Sequence, residues 1–594
     1  AVTPIATTTL VNGKVKSSIL LPGNAHVPGA PAYAPGPDIV VGDLTAMVQS
    51  GSSGTQVGLG IGTTSCNNGD QPVHFFAIPN TDHSVVSQNL YRMSGGTNNN
   101  DRFEQIGESW VKHTFGADQF DACSFGCTPW PDSTQLGVGC SDPYSASENA
   151  TYSLLGSRAW VNPFTGVFPS NARDHTGHTH TGTSHRVLVE INDLNTNLNA
   201  GATYWAEAEY DTPQEYAWCQ AHPGQCNMYN NASYRRFNVT GTTNFTFTTV
   251  GTTTRMKPAT EAWTGSTSTL VEPEPGIDGR AFVIYKVTNP SAGVWHYEYA
   301  IHNQNLDRSI QSFSVPLGCG VTISNIGFHA PPNHPGFAND GTAGNAGFSN
   351  NPWTPNQTTN ALAWSCNTFS QDPNANAIRF GTLYNFRFDS NKPPASASAT
   401  VGFFKTGAPM TVQIQAPMAD PCNPLQITSI VSRKTHGAAG MFDVDLPLTG
   451  DVGVECRSTG GNHTFVFTFT NNVVSGNASV TSGTGTVSGS PIFSDNTMTV
   501  NLTGVADQQL IAVTVSEVVD TFGQTLPDTA VNAVVLAADT NGNRVVNAAD
   551  VAQTKAQQGS PVDQTNFRND VNANGTINAA DVGLIKSSAG NSVP

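Results

Sequence analysis

The chain has 594 residues, enough for roughly three to five domains, each with its own core. Charged residues make up only 12%, aromatics 9%, and the net charge is -17. The aromatic content argues against a disordered chain, and the negative charge argues against nucleic acid or an anionic membrane as partner. No stretch approaches the ~18 consecutive apolar residues of a membrane-spanning helix, so no membrane insertion is expected.

Residues 1–45 read as an extended arm followed by a linker. Residues 1–21 are rich in Thr and Val, with Val11, Val15, Ile19 and Leu21 at even spacings that suit one strand face. Residues 22–37 form the Pro/Gly/Ala linker. Such an arm is expected to pair with a sheet edge. Where that edge belongs to another subunit, the chain forms a homo-oligomer or polymer.

Residues 46–260 alternate short strand-like runs with Gly/Asn/Pro turns, as a β-rich domain does. Cys219 and Cys226 are placed to close a small loop, while Cys66, Cys123, Cys127 and Cys140 leave several pairings open. Residues 261–423 read as a β-sandwich domain. In its strand 294–301, Trp295, Tyr297, Tyr299 and Ile301 share one face, and His296, Glu298 and His302 share the other. Residues 424–536 read as an immunoglobulin-like β-sandwich, with Phe465, Phe467 and Phe469 alternating, as do Met498, Val500 and Leu502. The ten cysteines, an even number without a CxxC, are expected to form disulfides in an oxidising space. Cys319–Cys366 and Cys422–Cys456 are the expected pairs outside the first β domain. The chain begins at Ala1 without methionine, which fits a processed secreted protein.

Residues 537–594 contain one loop written twice. The first copy places Asp539, Asn541, Asn543, Asn547 and Asp550 at its first, third, fifth, ninth and last positions. The second places Asp570, Asn572, Asn574, Asn578 and Asp581 in the same register. Oxygen-bearing side chains at these spacings, with a backbone carbonyl from Val545 or Thr576 between them, suit calcium, a hard cation bound by six to eight oxygens. Val546 and Ile577 are apolar and can face a core. Each loop runs into a short helix pattern that ends at a glycine, Gly559 or Gly590.

This duplicated loop resembles the type I dockerin, a calcium-binding module of secreted bacterial proteins, over about residues 536–592. The resemblance implies two calcium ions and a bacterial extracellular or cell-surface location. Two departures stand out: Asp, not the longer Glu of an EF-hand, closes each loop, and Arg544 occupies a position where glycine is expected. In dockerins the tenth and eleventh loop positions help choose a cohesin partner, often through hydroxyls. Here they are Ala548-Ala549 and Ala579-Ala580, which speaks against a cohesin partner and leaves docking on a neighbouring domain as the alternative.

The other constellation is the run 174–180, with His175, His178 and His180, followed by His185. In extended chain His178 and His180 point the same way. With His185, and with His329 and His334 around a Pro-rich turn, they form a candidate copper or zinc site. Further histidines are His83, His113, His296 and His302. Glu207 and Glu209 share a strand face and are expected at the surface. No HExxH, nucleophile elbow, P-loop or dinucleotide fingerprint is present.

The fold expected is mainly β: several β-sandwich domains in tandem with a small C-terminal α-helical calcium-binding module. The leading functional reading is a secreted, calcium-binding protein with a structural or adhesive role, self-assembling into a surface polymer. The alternatives are a copper- or zinc-dependent extracellular enzyme acting on a polymer, and a non-catalytic glycan-binding protein.

Overall fold

The computed structural model describes residues 5–11, 14–20, 33–113, 116–152, 155–174, 180–418, 424–457 and 460–594, with the backbone course alone before residue 33. The chain is mainly β with a small helical C-terminal region. It divides into two compact units, residues 1–317 with 321–417, and residues 318–320 with 418–594.

The N-terminal arm is a hairpin, not a single strand. Ile5–Val11 runs antiparallel to Lys14–Leu20, with Leu10 opposite Val15 and Ala6 opposite Ile19. Among the described residues these strands pair with no other. The intervening dipeptide is Asn12-Gly13, the strongest short hairpin signal. Val11 and Val15 therefore belong to different strands, and the expected single face is not formed. Leu21 and residues 22–32 lie outside the described residues.

In the larger unit the described residues form an 11-stranded sheet and two 5-stranded sheets. The large sheet opens with the hairpin of Ile39–Ser53 and Gln56–Asn67, and strand Thr203–Asp211 lies between Val85–Ser94 and Ala232–Thr240. The two smaller sheets sandwich a core in which Tyr297, Tyr299 and Ile301 meet Phe313, Trp364 and Phe386. The apolar face expected of strand Val294–Asn303 points into this core.

Its other face is buried as well. Ile284, Ala300 and Leu383 pack with Tyr91, Met93 and Phe103 of the large sheet. Polar side chains fill the rest of that layer. Glu104 accepts from Arg92 at 2.8 Å and from Arg387 at 2.9 Å. Asn385 donates to the Phe103 carbonyl at 3.0 Å and to Glu298 at 3.1 Å.

This second layer corrects the surface placement of Glu207 and Glu209, which are 0% and 2% exposed. Glu207 accepts from Asn89 at 2.9 Å, the Tyr91 hydroxyl at 2.7 Å and the Ala259 N–H at 2.6 Å. Glu209 accepts from Gln304 at 3.1 Å. Alternation marks solvent only on a sheet with one uncovered face.

Disulfides join Cys66 to Cys123, Cys127 to Cys140 and Cys219 to Cys226, the last as its spacing suggests. The other two expected pairings do not form, because Cys366 and Cys456 are free thiols. Burial pushes the Cys366 thiol up to about 12, and the buried Cys456 thiol lies 3.7 Å from the Arg568 carbonyl. Cys319 is disulfide-bonded.

In the smaller unit a 6-stranded and a 4-stranded sheet form a sandwich among the described residues. Phe465, Phe467, Phe469, Met498, Val500 and Leu502 fill its core against Ile511, Val513 and Val531, as the alternation in sequence requires. The helices Ala548–Gln557 and Ala579–Ser587 follow.

Candidate calcium-binding module

Both C-terminal loops fold around their first carboxylate. Asp539 accepts from the N–H groups of Gly542 at 2.9 Å, Asn543 at 3.2 Å and Arg544 at 2.7 Å. Asp570 accepts from Asn574 at 3.1 Å and Gly575 at 2.8 Å. The last carboxylate closes each loop from the other side. Asp550 accepts from the N–H of Asn541 at 3.2 Å and of Asn547 at 2.9 Å; Asp581 accepts from Asn572 at 3.3 Å and Asn578 at 2.9 Å. All four carboxylates are 0% exposed.

The intervening side chains make a ladder of Asx turns. Asn541 accepts from Asn543 N–H and Asn543 from Val545 N–H; Asn572 accepts from Asn574 N–H and Asn574 from Thr576 N–H. Asn547 and Asn578 cap the two helices, each in a capping box with Asp550 or Asp581. The fold thus brings each expected ligand set onto one short loop. Each set has two carboxylates and otherwise amide or carbonyl oxygens, a donor chemistry that fits a hard cation. Burial raises the Asp539 and Asp581 carboxyls, and the charges of Asp550 and Asp570 add to this. A bound cation reverses that effect.

The two halves interlock. Val546 and Ile577 are buried. The Val546 N–H donates to Asn591 and its carbonyl accepts from Gly590, beyond the second helix. The Gly559 N–H, beyond the first helix, donates to Ile577. Arg544 sits at φ 68, where the second loop has Gly575 at φ 90.

Residues 537–588 match the dockerin type I domain. Dockerins of this type bind calcium and belong typically to secreted bacterial proteins. No curated protein matches the chain. A crystal structure of a titin tandem is 9% identical and covers 51% of this chain and 82% of its own length, with a TM-score of 0.13, too low to support an argument.

The dockerin module packs on the preceding sandwich. His436 lies 2.8 Å from Asp570, with both side chains buried. Arg568 donates to the carbonyls of Thr540, Val454 and Asp539. Phe442 stacks on Phe567 with centroids 5.4 Å apart. A shared apolar cluster joins Val454, Val534 and Leu536 to Val546, Val571 and Ile585. Ala548, Ala549, Ala579 and Ala580 are exposed.

The histidines are less convergent. His178 lies outside the described residues. His180 and His185 approach to 2.8 Å, and His185 stacks on Trp110 with centroids 4.0 Å apart. His334 sits edge-on to the same indole at 6.1 Å, with Nε2 3.1 Å from the Glu108 carbonyl. His329 Nε2 lies 2.9 Å from the Gln105 carbonyl. Among the described residues no three metal-ligating His, Cys, Asp or Glu side chains converge.

Proposed function

We propose that the chain is a secreted bacterial structural protein whose C-terminal dockerin module takes up two calcium ions and is rigidly joined to its own sandwich domain. Asp539, Asn541, Asn543, the Val545 carbonyl, Asn547 and Asp550 serve the first ion. Asp570, Asn572, Asn574, the Thr576 carbonyl, Asn578 and Asp581 serve the second. The observation that carries this reading is the repeated cradle of backbone N–H groups around Asp539 and Asp570, each opposed by a second buried carboxylate.

The structural role rests on two further features. The module's contacts are spent on its own chain, through His436, Arg568 and Phe567, and its exposed alanine pairs carry no hydroxyls for a cohesin. The N-terminal hairpin pairs only with itself among the described residues, so its outer edges offer backbone groups to a sheet edge of another copy. Calorimetry of the full chain should show two calcium sites, both lost in the double Asp539→Ala, Asp570→Ala variant. Unchanged uptake in that variant would refute the assignment. Removal of residues 1–21 should leave calcium binding intact and abolish polymer formation, read by light scattering and electron microscopy.

A further inference from the structure

Lysine is almost never fully buried without a charged partner. Lys112, on the short strand Val111–Lys112, is 3% exposed. Its Nζ lies over the Tyr144 ring, 3.0 Å from the centroid, with the Tyr152 ring at 5.2 Å. It is also 3.4 Å from Oδ1 of Asn149, on the helix Ala146–Thr151. Asn149 is itself 6% exposed. Its Nδ2 donates to the Ile61 carbonyl at 2.7 Å and to the Thr63 hydroxyl at 3.1 Å, which pins the carboxamide with its oxygen toward the lysine. Asp142, on Ser141–Tyr144 and two residues from the Tyr144 ring, is 1% exposed; its Oδ1 accepts from the Asp118 N–H at 3.1 Å, and its charge favours the protonated amine of Lys112. The second carboxylate that acts on Lys112, Glu148, is engaged in capping its helix through Ser145.

We propose that Lys112 and Asn149 become joined by an intramolecular isopeptide bond, with Asp142 carrying the proton. The Nζ ammonium first gives a proton to the Asp142 carboxylate; the Nζ lone pair then attacks Asn149 Cγ while the Asp142 carboxyl passes that proton to the amide oxygen. The tetrahedral intermediate collapses, the Cγ–Nδ2 bond breaks, and the proton lost by Nζ leaves with Nδ2 as ammonia. One amine and one primary amide give one secondary amide and one ammonia, with no change of oxidation state and no co-reactant.

Attack requires the free amine, and burial lowers the Lys112 amine to about 7, so a large fraction is unprotonated at neutral pH. The product removes a buried cation from the interior and ties strand Val111–Lys112 to the helix packed on Gln56–Asn67. Such a tie suits a chain that carries load outside the cell.

Intact mass spectrometry of the full chain, with disulfides reduced, tests this. The native protein should be lighter than its sequence by one ammonia, and proteolysis should release a branched peptide joining Lys112 to Asn149. Lys112→Arg and Asp142→Ala should both return to the full sequence mass, with the denaturant unfolding transition of the larger unit as the check that it has folded. A native protein at full sequence mass would overturn the proposal without any variant. So would a deficit that maps to succinimide at Asn12, Asn68, Asn541 or Asn574, each of which precedes glycine. Persistence of the branched peptide in Asp142→Ala would overturn the role of Asp142.

Discussion

The calcium loops and the buried polar layer of the larger unit are both built from carboxylates, amides and guanidiniums. They differ in how far apart in sequence the partners lie. Asp539 finds its donors three to five residues away, at Gly542, Asn543 and Arg544. Glu104 is held by Arg92 nearby and by Arg387, 283 residues on. The local site forms wherever its loop is written. The distant one exists only once two sheets have met, so it depends on the fold and in turn fixes how the sheets pack.

This contrast is sharpest under calcium removal. At a free calcium concentration about 100 times the dissociation constant, each site contributes about 2.7 kcal/mol of stability. Chelation should therefore destabilise the smaller unit by on the order of 5 kcal/mol. The described polar layer of the larger unit involves no calcium loop, so its unfolding transition should stay in place. Calorimetric scans with and without chelator separate the two. A parallel drop in both transitions would show that the larger unit also depends on the ion.

The reverse test breaks the distant layer. Burial acts to raise the Glu104 carboxyl, but His329 and the Arg387 and Arg92 guanidiniums hold it down to about 2. Glu104→Ala leaves two guanidiniums without their shared anion, and loss of one partner from such a buried group costs about 3–5 kcal/mol. Denaturant melts should show this loss in the larger unit while calcium uptake by the C-terminal loops is unchanged.

The same distinction governs what was legible. The paired loops could be read residue by residue, because register, helix cap and terminal glycine all lie within one short stretch. The strand faces of Phe465–Phe469 and of Tyr297–Ile301 could be read from alternation. Glu207 and Glu209 could not, because burial of their face comes from a second sheet whose approach leaves no local mark. The pairing of Cys319 with Cys366 failed for a related reason: proximity in sequence does not bring two thiols together. Asn12-Gly13 was a readable signal, and it divides the arm into the hairpin that the structure shows.

Glu209 offers a pH-dependent version of the comparison. Burial, and then the charge of Glu207, push its carboxyl from 4.5 up to about 8. Below the unfolded value both states hold the proton. Between the two values only the unfolded chain releases it, so stability of the larger unit should fall as pH rises from about 4.5 to about 8. Glu209→Gln should flatten that slope in melts taken across this range, and an unchanged slope would place the titration elsewhere.

The smallest expected effect lies between the two calcium loops themselves. Arg544 and Gly575 occupy the same loop position, at φ 68 and φ 90. A side chain in this region costs about 1–2 kcal/mol, while glycine adds about 0.5–1 kcal/mol of unfolded-state entropy. The second loop needs glycine for another reason: a Cβ at Gly575 would stand 2.7 Å from the His436 carbonyl. Around the first loop the arginine side chain reaches toward the Val452 carbonyl at 3.5 Å, a long and weak contact. Arg544→Gly should therefore relieve more strain than it loses in contacts, for a net gain of about 0.5 kcal/mol and slightly tighter calcium binding at the first site alone. Site-resolved calcium titration measures this. Weaker binding at the first loop would show that the Arg544 side chain contributes more to holding that loop than its backbone strain takes away.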